Sequence, residues 1–260
     1  MIKALFLDID GTLVSMTTHR IPDSAIAAVK LAKRKGIKIF IATGRPKAII
    51  NNISQLEDAN LIDGYITMNG ACVIVEDKAI SKNIMSKYEV QTILEFCKEN
   101  GVSCPVISEN DAWVFQPTPK YDEIFYGTLN VRPLRTCSIE DALKTDIFQL
   151  TPFLTEEEKE PLHKLIPDCE FVRWHPDFAD VGASGSTKAG GIDTLAKHFG
   201  FTIEETMAIG DGGNDITMLK HAKIGVAMGN ASSRVKAVAN YVTSHIDENG
   251  LYNALSTFIL

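Results

Sequence analysis

The sequence predicts an α/β fold in which a doubly wound parallel sheet is interrupted by an inserted α+β domain. Apolar runs such as residues 2–7 are nearly continuous in hydrophobic side chains, which is typical of parallel strands buried on both faces. In the first and last thirds of the chain these runs alternate with helical patterns, as expected when helices cover both faces of a parallel sheet. The middle third differs, because its β-rich pieces are short and prolines stand at positions 105, 117, 119 and 133.

The opening third begins with the strand at residues 2–7. A helix follows between Pro22 and Gly36, residue types that suit the first turn and the end of a helix. A second strand is predicted at residues 37–42, and after Pro46 we expect another helix, which contains Ile49, Ile50 and Ile53. Asn69-Gly70 is a strong hairpin signal between two apolar runs, so strands are predicted at residues 65–68 and 71–75.

The closing third repeats the alternation of strands and helices. Apolar residues at positions 192, 195, 196 and 199 share one face of a helix that Gly200 ends. Short strands are predicted at residues 206–209 and 224–228. Residues 1–81 and 184–260 therefore form the predicted core domain, and residues 82–183 form the inserted α+β domain. One continuous large sheet is the alternative organisation.

The composition is that of an ordinary globular protein, and it argues against some classes of binding partner. The 260 residues are 45% hydrophobic and 23% charged, and the net charge is −7. Lysine and arginine are spread along the chain rather than clustered, which argues against a nucleic-acid or membrane-surface partner. No apolar stretch reaches the roughly 18 residues of a membrane span, and no signal pattern opens the chain, so a cytoplasmic location is expected. A monomer and a small homo-oligomer both remain compatible.

The five cysteines do not indicate a metal site or a disulfide framework. They are far apart along the chain and include no CxxC pair. Reduced and mostly buried thiols are therefore expected. His198 and His221 lie in predicted helices without a partner at ligand spacing, and we interpret them as structural or surface residues.

Asp8 and Asp10 stand where the first apolar strand ends. Burying two carboxylates within the strand would be costly, so we expect them at its carboxyl end, where open α/β sheets build their active sites. Because they are two residues apart, both side chains leave the strand on one side. Such a pair suits a divalent cation, or a nucleophile beside a proton donor. Taken alone, Asp10-Gly11 is also compatible with an ordinary turn after a strand.

Three more polar clusters follow at predicted strand ends or at a helix start. The first, Thr43-Gly44-Arg45, is also compatible with a simple turn, and the second, Lys188, with a solvated lysine at a helix start. The third has more oxygen-bearing side chains than one helix cap needs, which favours a ligand site. It is Gly210-Asp211-Gly212-Gly213-Asn214-Asp215.

Together, and in this order, the clusters closely resemble the motifs of the haloacid dehalogenase superfamily of aspartyl phosphohydrolases. The insert between the second and third motifs resembles the large cap of the Cof-type sugar-phosphatase branch. The resemblance covers essentially the whole chain and implies a Rossmann-like core with a cap domain. In one departure, Lys188 is followed by Ala189-Gly190-Gly191, where many relatives place the glycine directly after the lysine.

The resemblance implies a phosphatase that uses Mg²⁺ and an aspartyl-phosphate. Mg²⁺ prefers oxygen ligands, which Asp8, Asp211 and the main-chain carbonyl of Asp10 would provide. Asp215 would ligate the ion directly or through a water molecule. Asp8, ionised with the help of Lys188, would be the nucleophile. Asp10 would donate a proton to the leaving group and then accept one from water.

The resemblance also assigns phosphate and substrate contacts. The hydroxyl of Thr43, the amide of Gly44 and the ammonium of Lys188 would hold the phosphate oxygens. The side chain of Asn214 would bind the phosphate or orient Lys188. The expected substrate is a small phosphorylated metabolite, with hexose or pentose phosphates favoured by the family. One of the substrate-facing candidates, the tryptophan, is also compatible with a packing role. The candidates are Arg45, Asn69, Gly70, Trp174, His175 and Asp180.

Two other functions remain compatible with these residues. A phosphomutase would form the same aspartyl-phosphate but return the phosphoryl group to a sugar, and it would require a bisphosphate activator. A non-enzymatic sugar-phosphate binding protein would bind without releasing phosphate, although every catalytic position holds a competent residue. A transport ATPase with this chemistry is excluded by the absence of predicted membrane spans.

Overall fold

The computed structural model of the protein describes residues 1–50, 52–128 and 133–260. The chain divides into two compact units. The first comprises Met1–Arg45, Ile49–Lys82 and Thr187–Leu260, and the second comprises Pro46–Ala48 and Asn83–Ser186. None of the described helices has both the length and the apolar character that crossing a membrane requires.

Strands and helices are numbered here along the described chain. The strands are β1 (Ala4–Leu7), β2 (Lys38–Ala42), β3 (Gly64–Thr67), β4 (Cys72–Val75), β5 (Lys78–Lys82), β6 (Cys104–Ser108), β7 (Ala112–Phe115), β8 (Arg135–Thr136), β9 (Ile147–Leu150), β10 (Glu170–His175), β11 (Phe178–Gly182), β12 (Thr206–Gly210), β13 (Ile224–Ala227) and β14 (Tyr241–Val242). The α-helices are α1 (Asp23–Arg34), α2 (Ser54–Glu57), α3 (Lys87–Asn100), α4 (Pro119–Asp122), α5 (Ile139–Leu143), α6 (Glu160–Leu165), α7 (Lys188–Phe199), α8 (Ile216–His221), α9 (Ser233–Lys236) and α10 (Gly250–Phe258).

The first unit is built on a sheet of eight described strands, in the order β14-β13-β12-β1-β2-β3-β4-β5. The six strands from β14 to β3 run parallel, and β4 and β5 extend the sheet in antiparallel fashion. The order reverses at β1, because β2 and β3 lie on one side of it and the late strands β12 to β14 on the other. This confirms the doubly wound α/β prediction, although the sheet is mixed rather than wholly parallel.

Alternate residues of the central strands enter two different hydrophobic cores. Leu5 and Leu7 of β1 pack with α1 and α10 on one face of the sheet. Phe6 of the same strand and Phe40 of β2 pack with α7 and α8 on the other face, and their rings stack with centroids 5.1 Å apart. The nearly continuous apolar run of β1 is therefore explained by burial on both faces.

The predicted helix after Pro46 is wrong in its extent. Residues Lys47–Ile49 form a single 3₁₀ turn, residue 51 lies outside the described residues, and the α-helix covers only Ser54–Glu57. Ile53 is fully buried, so the isoleucine spacing reports burial rather than a helix. Asparagine and β-branched side chains favour non-helical backbone, which explains the interruption.

The predicted hairpin at Asn69-Gly70 is confirmed, but its connection is unusual. β3 and β4 pair antiparallel, with Thr67 opposite Cys72. Between them Met68, Asn69 and Gly70 all have positive φ angles, of 50°, 53° and 108°. For the two residues with side chains this is a sparsely populated conformation, of the kind that clusters at functional sites.

The second unit has its own sheet and core. Six described strands lie in the order β10-β11-β9-β6-β7-β8, so the described strands form two sheets and not one continuous sheet. Helices α3, α5 and α6 pack on this sheet in one apolar cluster. α3 has Gly101 as its C-cap, and it begins with a capping box between Ser86 and Glu89. A second, aromatic cluster contains Tyr121, Phe153 and Phe178.

Candidate active site

Three of the predicted motifs meet because β1, β2 and β12 are neighbours in register. Leu7 lies opposite both Ile41 and Ile209, so the three strands end at the same edge of the sheet. The residues that directly follow these three strands are Asp8, Thr43 and Asp211. The amide of Asp8 still donates to the carbonyl of Ile209, at 3.1 Å, and this bond anchors the start of the loop.

Lys188 joins this edge from the start of α7. The helix begins at Lys188 with Thr187 as its N-cap, so the two glycines after Ala189 do not displace the lysine from the helix start. Gly191 packs so closely on β3 that a Cβ there would lie 2.5 Å from Ile66. Gly70 packs equally closely on the residue before Lys188, since a Cβ on it would lie 2.1 Å from the carbonyl oxygen of Thr187. The hairpin connection therefore fixes the segment that carries Lys188.

The ammonium of Lys188 lies between two carboxylates. Its Nζ donates to Oδ1 of Asp8 at 2.7 Å and to Oδ1 of Asp215 at 2.5 Å. Lys188 and Asp215 are 0% exposed, and Asp8 is 6% exposed. The other oxygen of Asp215 accepts from the amides of Asp211 and Gly212, at 2.9 and 2.8 Å. Asp215 thus closes the loop after β12 while it holds the lysine.

Asp211 is held by the loop that follows β1. Thr12 Oγ1 donates to Oδ1 of Asp211 at 2.8 Å. Gly11 has a φ of +84°, and a Cβ on it would lie 2.2 Å from Oδ2 of Asp211, so only glycine fits this turn. Gly11 therefore both turns the chain after β1 and leaves room for the carboxylate of Asp211.

Burial and mutual repulsion set the protonation of this cluster. Burial raises the pKa of Asp8 well above its ordinary value, the charge of Asp215 adds to this, and Lys188 opposes it. Burial, followed by the charge of Asp215, raises the pKa of Asp211 to about 7. Burial disfavours the charged form of Lys188, but the carboxylates of Asp215 and Asp8 outweigh it and raise the pKa of Lys188.

The cluster has the composition of a divalent-metal site. Asp8, Asp211 and Asp215 each offer an oxygen, and these ligand atoms lie within 4.8 Å of one another. With Lys188 the four side chains carry a net charge of −2 when all are ionised, which is costly at a buried position. A divalent cation would neutralise this charge with the hard oxygen ligands that such ions prefer. The residues therefore fit a metal ion.

Arg45 contacts Asp10 in a bidentate ion pair. Its Nε and Nη2 donate to the two carboxylate oxygens at 2.8 and 2.6 Å. Both side chains are about one-third exposed or less. The amide of Arg45 in turn donates to Oγ1 of Thr43, at 3.1 Å. The second motif is thus tied directly to the second aspartate of the first, a contact that spacing along the sequence does not reveal.

Asn69 and Asn214 also meet at this site. Nδ2 of Asn214 donates to Oδ1 of Asn69 at 3.2 Å. Asn69 stands in the strained connection after β3, and Asn214 in the loop after β12. The structure thus brings together the core residues that the sequence singled out. They are Asp8, Asp10, Thr43, Arg45, Asn69, Gly70, Lys188, Asp211, Asn214 and Asp215, with Gly44 between Thr43 and Arg45.

The remaining candidates belong to the second unit. Asp180 is buried there and accepts from Trp174 Nε1 at 3.0 Å and from Thr151 Oγ1 at 2.9 Å. Trp174 is 41% exposed, while the ring of His175 stacks on Phe178 with centroids 4.7 Å apart. Desolvation lowers the pKa of His175. These side chains form a connected polar and aromatic group, and their contact with substrate stays a prediction.

One residue that the sequence analysis missed lies against Asp211. Nδ2 of Asn230 donates to Oδ2 of Asp211 at 3.2 Å. Asn230 follows the end of β13 by three residues, in Met228-Gly229-Asn230. A polar side chain just after a core strand was the available signal, but the residue belongs to none of the motifs that drew attention.

Comparison with known proteins identifies the class that this fold and site define. A family model described as haloacid dehalogenase-like hydrolase matches residues 5–255. The chain belongs to this family.

Individual relatives indicate which kind of hydrolase the chain resembles. The Bacillus subtilis (strain 168) protein named "Putative phosphatase YkrA" is 33% identical over 268 residues, which cover 97% of this chain and 96% of that protein. A solved structure of the haloacid dehalogenase (HAD) subclass IIB sugar phosphatase BT4131 is 55% identical in sequence. The match covers 98% of both chains and has a TM-score of 0.95. The phosphatase BT1666 of Bacteroides thetaiotaomicron is 38% identical, with a TM-score of 0.88 and coverage of 99% of this chain and 95% of that one. The protein is a phosphatase of the HAD superfamily and acts on small phosphorylated substrates.

Proposed function

We propose that the protein hydrolyses phosphate monoesters of small sugars, with Mg²⁺ as its metal ion and an aspartyl-phosphate as its intermediate. The observation that carries this proposal is the buried ion cluster, in which Lys188 holds Asp8 beside Asp211 and Asp215. A carboxylate in such a position is oriented and shielded from water, as a nucleophile toward phosphorus needs to be.

Asp8 attacks the phosphorus atom in line with the leaving group. A bond forms between a carboxylate oxygen and phosphorus while the bond from phosphorus to the sugar oxygen breaks. In the second step a water molecule attacks the same phosphorus, and the bond to Asp8 breaks to release inorganic phosphate. Lys188, which already donates to Oδ1 of Asp8, keeps the carboxylate in place and compensates the charge of the phosphate.

The metal ion would be held by oxygen atoms of the two motif loops. Asp8, Asp211 and Asp215 offer carboxylate oxygens, and the main-chain carbonyl of Asp10 is a further ligand in this proposal. When bound, Mg²⁺ supplies positive charge that offsets the repulsion between an anionic nucleophile and a dianionic phosphate. The Thr43 hydroxyl, the Gly44 amide and the Asn214 side chain would bind the remaining phosphate oxygens.

Asp10 provides the proton for the leaving group and later takes one from the attacking water. Both oxygens of Asp10 bind Arg45, so Asp10 reaches a substrate oxygen most directly when at least one of these hydrogen bonds has broken. A substrate that offers its own acceptor to Arg45 would release Asp10 for this task. Arg45 is therefore proposed to contact substrate and to control when Asp10 is available.

The second unit is proposed to act as a cap that recognises the leaving group. Trp174 offers an exposed aromatic face, and Asp180 keeps its indole oriented. Aromatic faces with neighbouring hydrogen-bonding groups suit the apolar ring face and hydroxyl groups of a sugar. The 55% identity to a sugar phosphatase supports the same substrate class. His175, Asn69 and Gly70 complete the proposed substrate-contacting set.

A screen for phosphate release tests the proposal. Purified protein is offered hexose phosphates, pentose phosphates, nucleotides and phosphorylated cofactors, with and without Mg²⁺, and inorganic phosphate is measured. We expect Mg²⁺-dependent release that is greatest with sugar phosphates. Mass spectrometry of acid-quenched enzyme is expected to find the phosphoryl group on Asp8.

Three outcomes would contradict parts of this proposal. Greater activity on nucleotides or cofactors would overturn the sugar-phosphate class. Transfer to a second sugar, with a requirement for a bisphosphate activator, would identify a phosphomutase. Tight binding without any phosphate release in Mg²⁺ would identify a binding protein. A cytoplasmic location and a monomeric or small homo-oligomeric state stay predictions from the sequence.

A further inference from the structure

Backbone hydrogen bonds join the segment that carries Asn230 to two other parts of the chain. The amide of Met228 donates to the carbonyl of Gly210 at 3.0 Å, which ties the end of β13 to the end of β12. The amide of Gly229 donates to the carbonyl of Ser244 at 2.9 Å. The side chain of Asn230 is therefore delivered from a fixed backbone toward the loop that carries Asp211.

The side chain of Asn230 makes three hydrogen bonds to three separate segments. Nδ2 donates to the carbonyl of Gly11 at 2.8 Å and to Oδ2 of Asp211 at 3.2 Å. Oδ1 accepts from the amide of Ile246 at 3.1 Å. The Ile246 amide can only donate and the Gly11 carbonyl can only accept, so the orientation of the side-chain amide is fixed by its partners.

This set of partners suits an asparagine and few other residues. The position requires one acceptor and two donors on a short side chain, which a primary amide provides. An aspartate would place a second carboxylate against Asp211 and would have no proton for the Gly11 carbonyl. A glutamine is one methylene too long for the same backbone position.

Asp211 is held through both of its oxygens. Thr12 donates to Oδ1 and Asn230 to Oδ2, at 2.8 and 3.2 Å. Each carboxylate oxygen has two lone pairs, so these bonds orient the group and still leave it able to bind a metal ion. Hydrogen bonds to metal-binding side chains of this kind typically change metal affinity or activity by about 10–100-fold.

We propose that Asn230 is a positioning residue that fixes Asp211 against the loop after β1 and thereby sets the affinity of the carboxylate cluster for a divalent metal ion. The proposal rests on the metal site of the proposed function. It goes further, because it assigns the alignment of a ligand to a residue from the segment after β13. That segment contributes none of the proposed ligands.

The test is a titration with Mn²⁺ alone, without substrate. Electron paramagnetic resonance of free Mn²⁺ gives the dissociation constant for the full-length protein. For Asn230→Ala and for Asn230→Ser, we expect a dissociation constant raised by about 10-fold. Asn253→Ala is the matched control, since Nδ2 of Asn253 bonds Ser244 Oγ at 3.0 Å and touches no metal-site residue among its described contacts. We expect the control to bind Mn²⁺ as the wild type does.

A double-mutant cycle separates positioning from a general loss of stability. Thr12→Val removes the donor to the other oxygen of Asp211 with little change in shape. If Thr12 and Asn230 act on the same carboxylate, the double variant will lose less affinity than the product of the two single losses. Circular dichroism first confirms that each variant is folded, and the serine variant serves if the alanine variant is not.

The outcomes distinguish this proposal from the one on which it rests. A wild-type protein that binds no Mn²⁺ would remove the metal site itself. A wild-type protein that binds Mn²⁺, with folded Asn230 variants whose dissociation constants are unchanged, would overturn the role of Asn230 alone. An equal loss in Asn253→Ala would also overturn it, because the effect would then belong to the surrounding segment.

Discussion

The two units bury acidic side chains in different settings. In the first unit Asp8 and Asp215 share Lys188 and Asp211 lies beside them, so the cluster has three carboxyl groups and one lysine. In the second unit Asp180 is equally buried, and its described contacts include hydrogen bonds from Thr151 and Trp174. Neighbouring carboxylates repel one another, and a bound cation would relieve that repulsion. The first unit therefore contains the cluster that is suited to charge-dependent chemistry.

The largest expected effect comes from removing the nucleophile. Asp8→Asn keeps the shape of the side chain but removes the negative charge needed for attack, and we expect turnover to fall by about 10⁴-fold or more. Steady-state phosphate release measures it. The matched control is Asp193→Asn on α7, where the aspartate pairs with His221 at 2.7 Å, at an exposed position. Substantial activity in Asp8→Asn, with the control unchanged, would remove Asp8 as the nucleophile.

Loss of the buried cation should reduce both activity and stability. Lys188→Met leaves Asp8 and Asp215 without their shared partner, and breaking a buried ion pair typically costs about 3–5 kcal/mol of unfolding free energy. We also expect kcat to fall by about 10²–10³-fold, as when one positioned donor is lost. Urea unfolding and phosphate release measure the two effects. Lys197→Met, on the exposed side of the same helix, should change neither. A Lys188 variant as stable as the wild type would contradict the excess-charge description of the cluster.

Removing the proposed acid and base should depend on the leaving group. Asp10→Ala is expected to slow hydrolysis of sugar phosphates by about 10²–10⁴-fold. The loss should be much smaller with nitrophenyl phosphate, whose leaving group needs no proton. Ratios of kcat/KM for the two substrates measure the difference. An equal loss on both would show that Asp10 supports the loop or the metal site instead of transferring protons.

The smallest effect is expected in the second unit. Trp174→Phe removes the N–H that orients the ring on Asp180, and a neutral hydrogen bond of this kind contributes about 0.5–1.5 kcal/mol. We expect kcat/KM for sugar phosphates to fall by up to about 10-fold. Activity on nitrophenyl phosphate should stay unchanged. Trp113→Phe, in the packed cluster of the same unit, is the control. A loss on both substrates would place Trp174 in packing and not in recognition.

The sequence was sufficient for the parts of the site that lie at strand ends. Asp8, Thr43 and Asp211 follow buried apolar runs, and adjacent parallel strands necessarily bring their carboxyl ends to one edge of the sheet. Local pattern and sheet topology agree at each of these positions. Lys188 was assigned to the site through the family resemblance, because a lysine at a helix start is also compatible with a solvated position.

Contacts that depend on tertiary packing could not be predicted in this way. The Arg45–Asp10 ion pair joins two motifs through side-chain geometry alone, and the role of Asn230 depends on the approach of Gly11 and Ile246. The helix expected after Pro46 failed because the isoleucine spacing matched a helical period while Ile53 is buried in an irregular segment. Periodicity reports which side chains are buried, and only indirectly the backbone that buries them.

The place of β1 in the sheet has a consequence for how the protein is made. One side of β1 pairs with β2 early in the sequence, but the other pairs with β12, in which Thr206 lies opposite Ala4. At translation rates of about 5–20 residues per second, roughly 10–40 seconds separate the synthesis of the two strands. During that time one edge of β1 has no sheet partner, while the strands of the second unit, all within residues 83–186, can already pair. Catalytic competence is thus acquired only after β12, Asp211 and Asp215 have been synthesised, and the nascent chain must protect the unpaired edge of β1 until then.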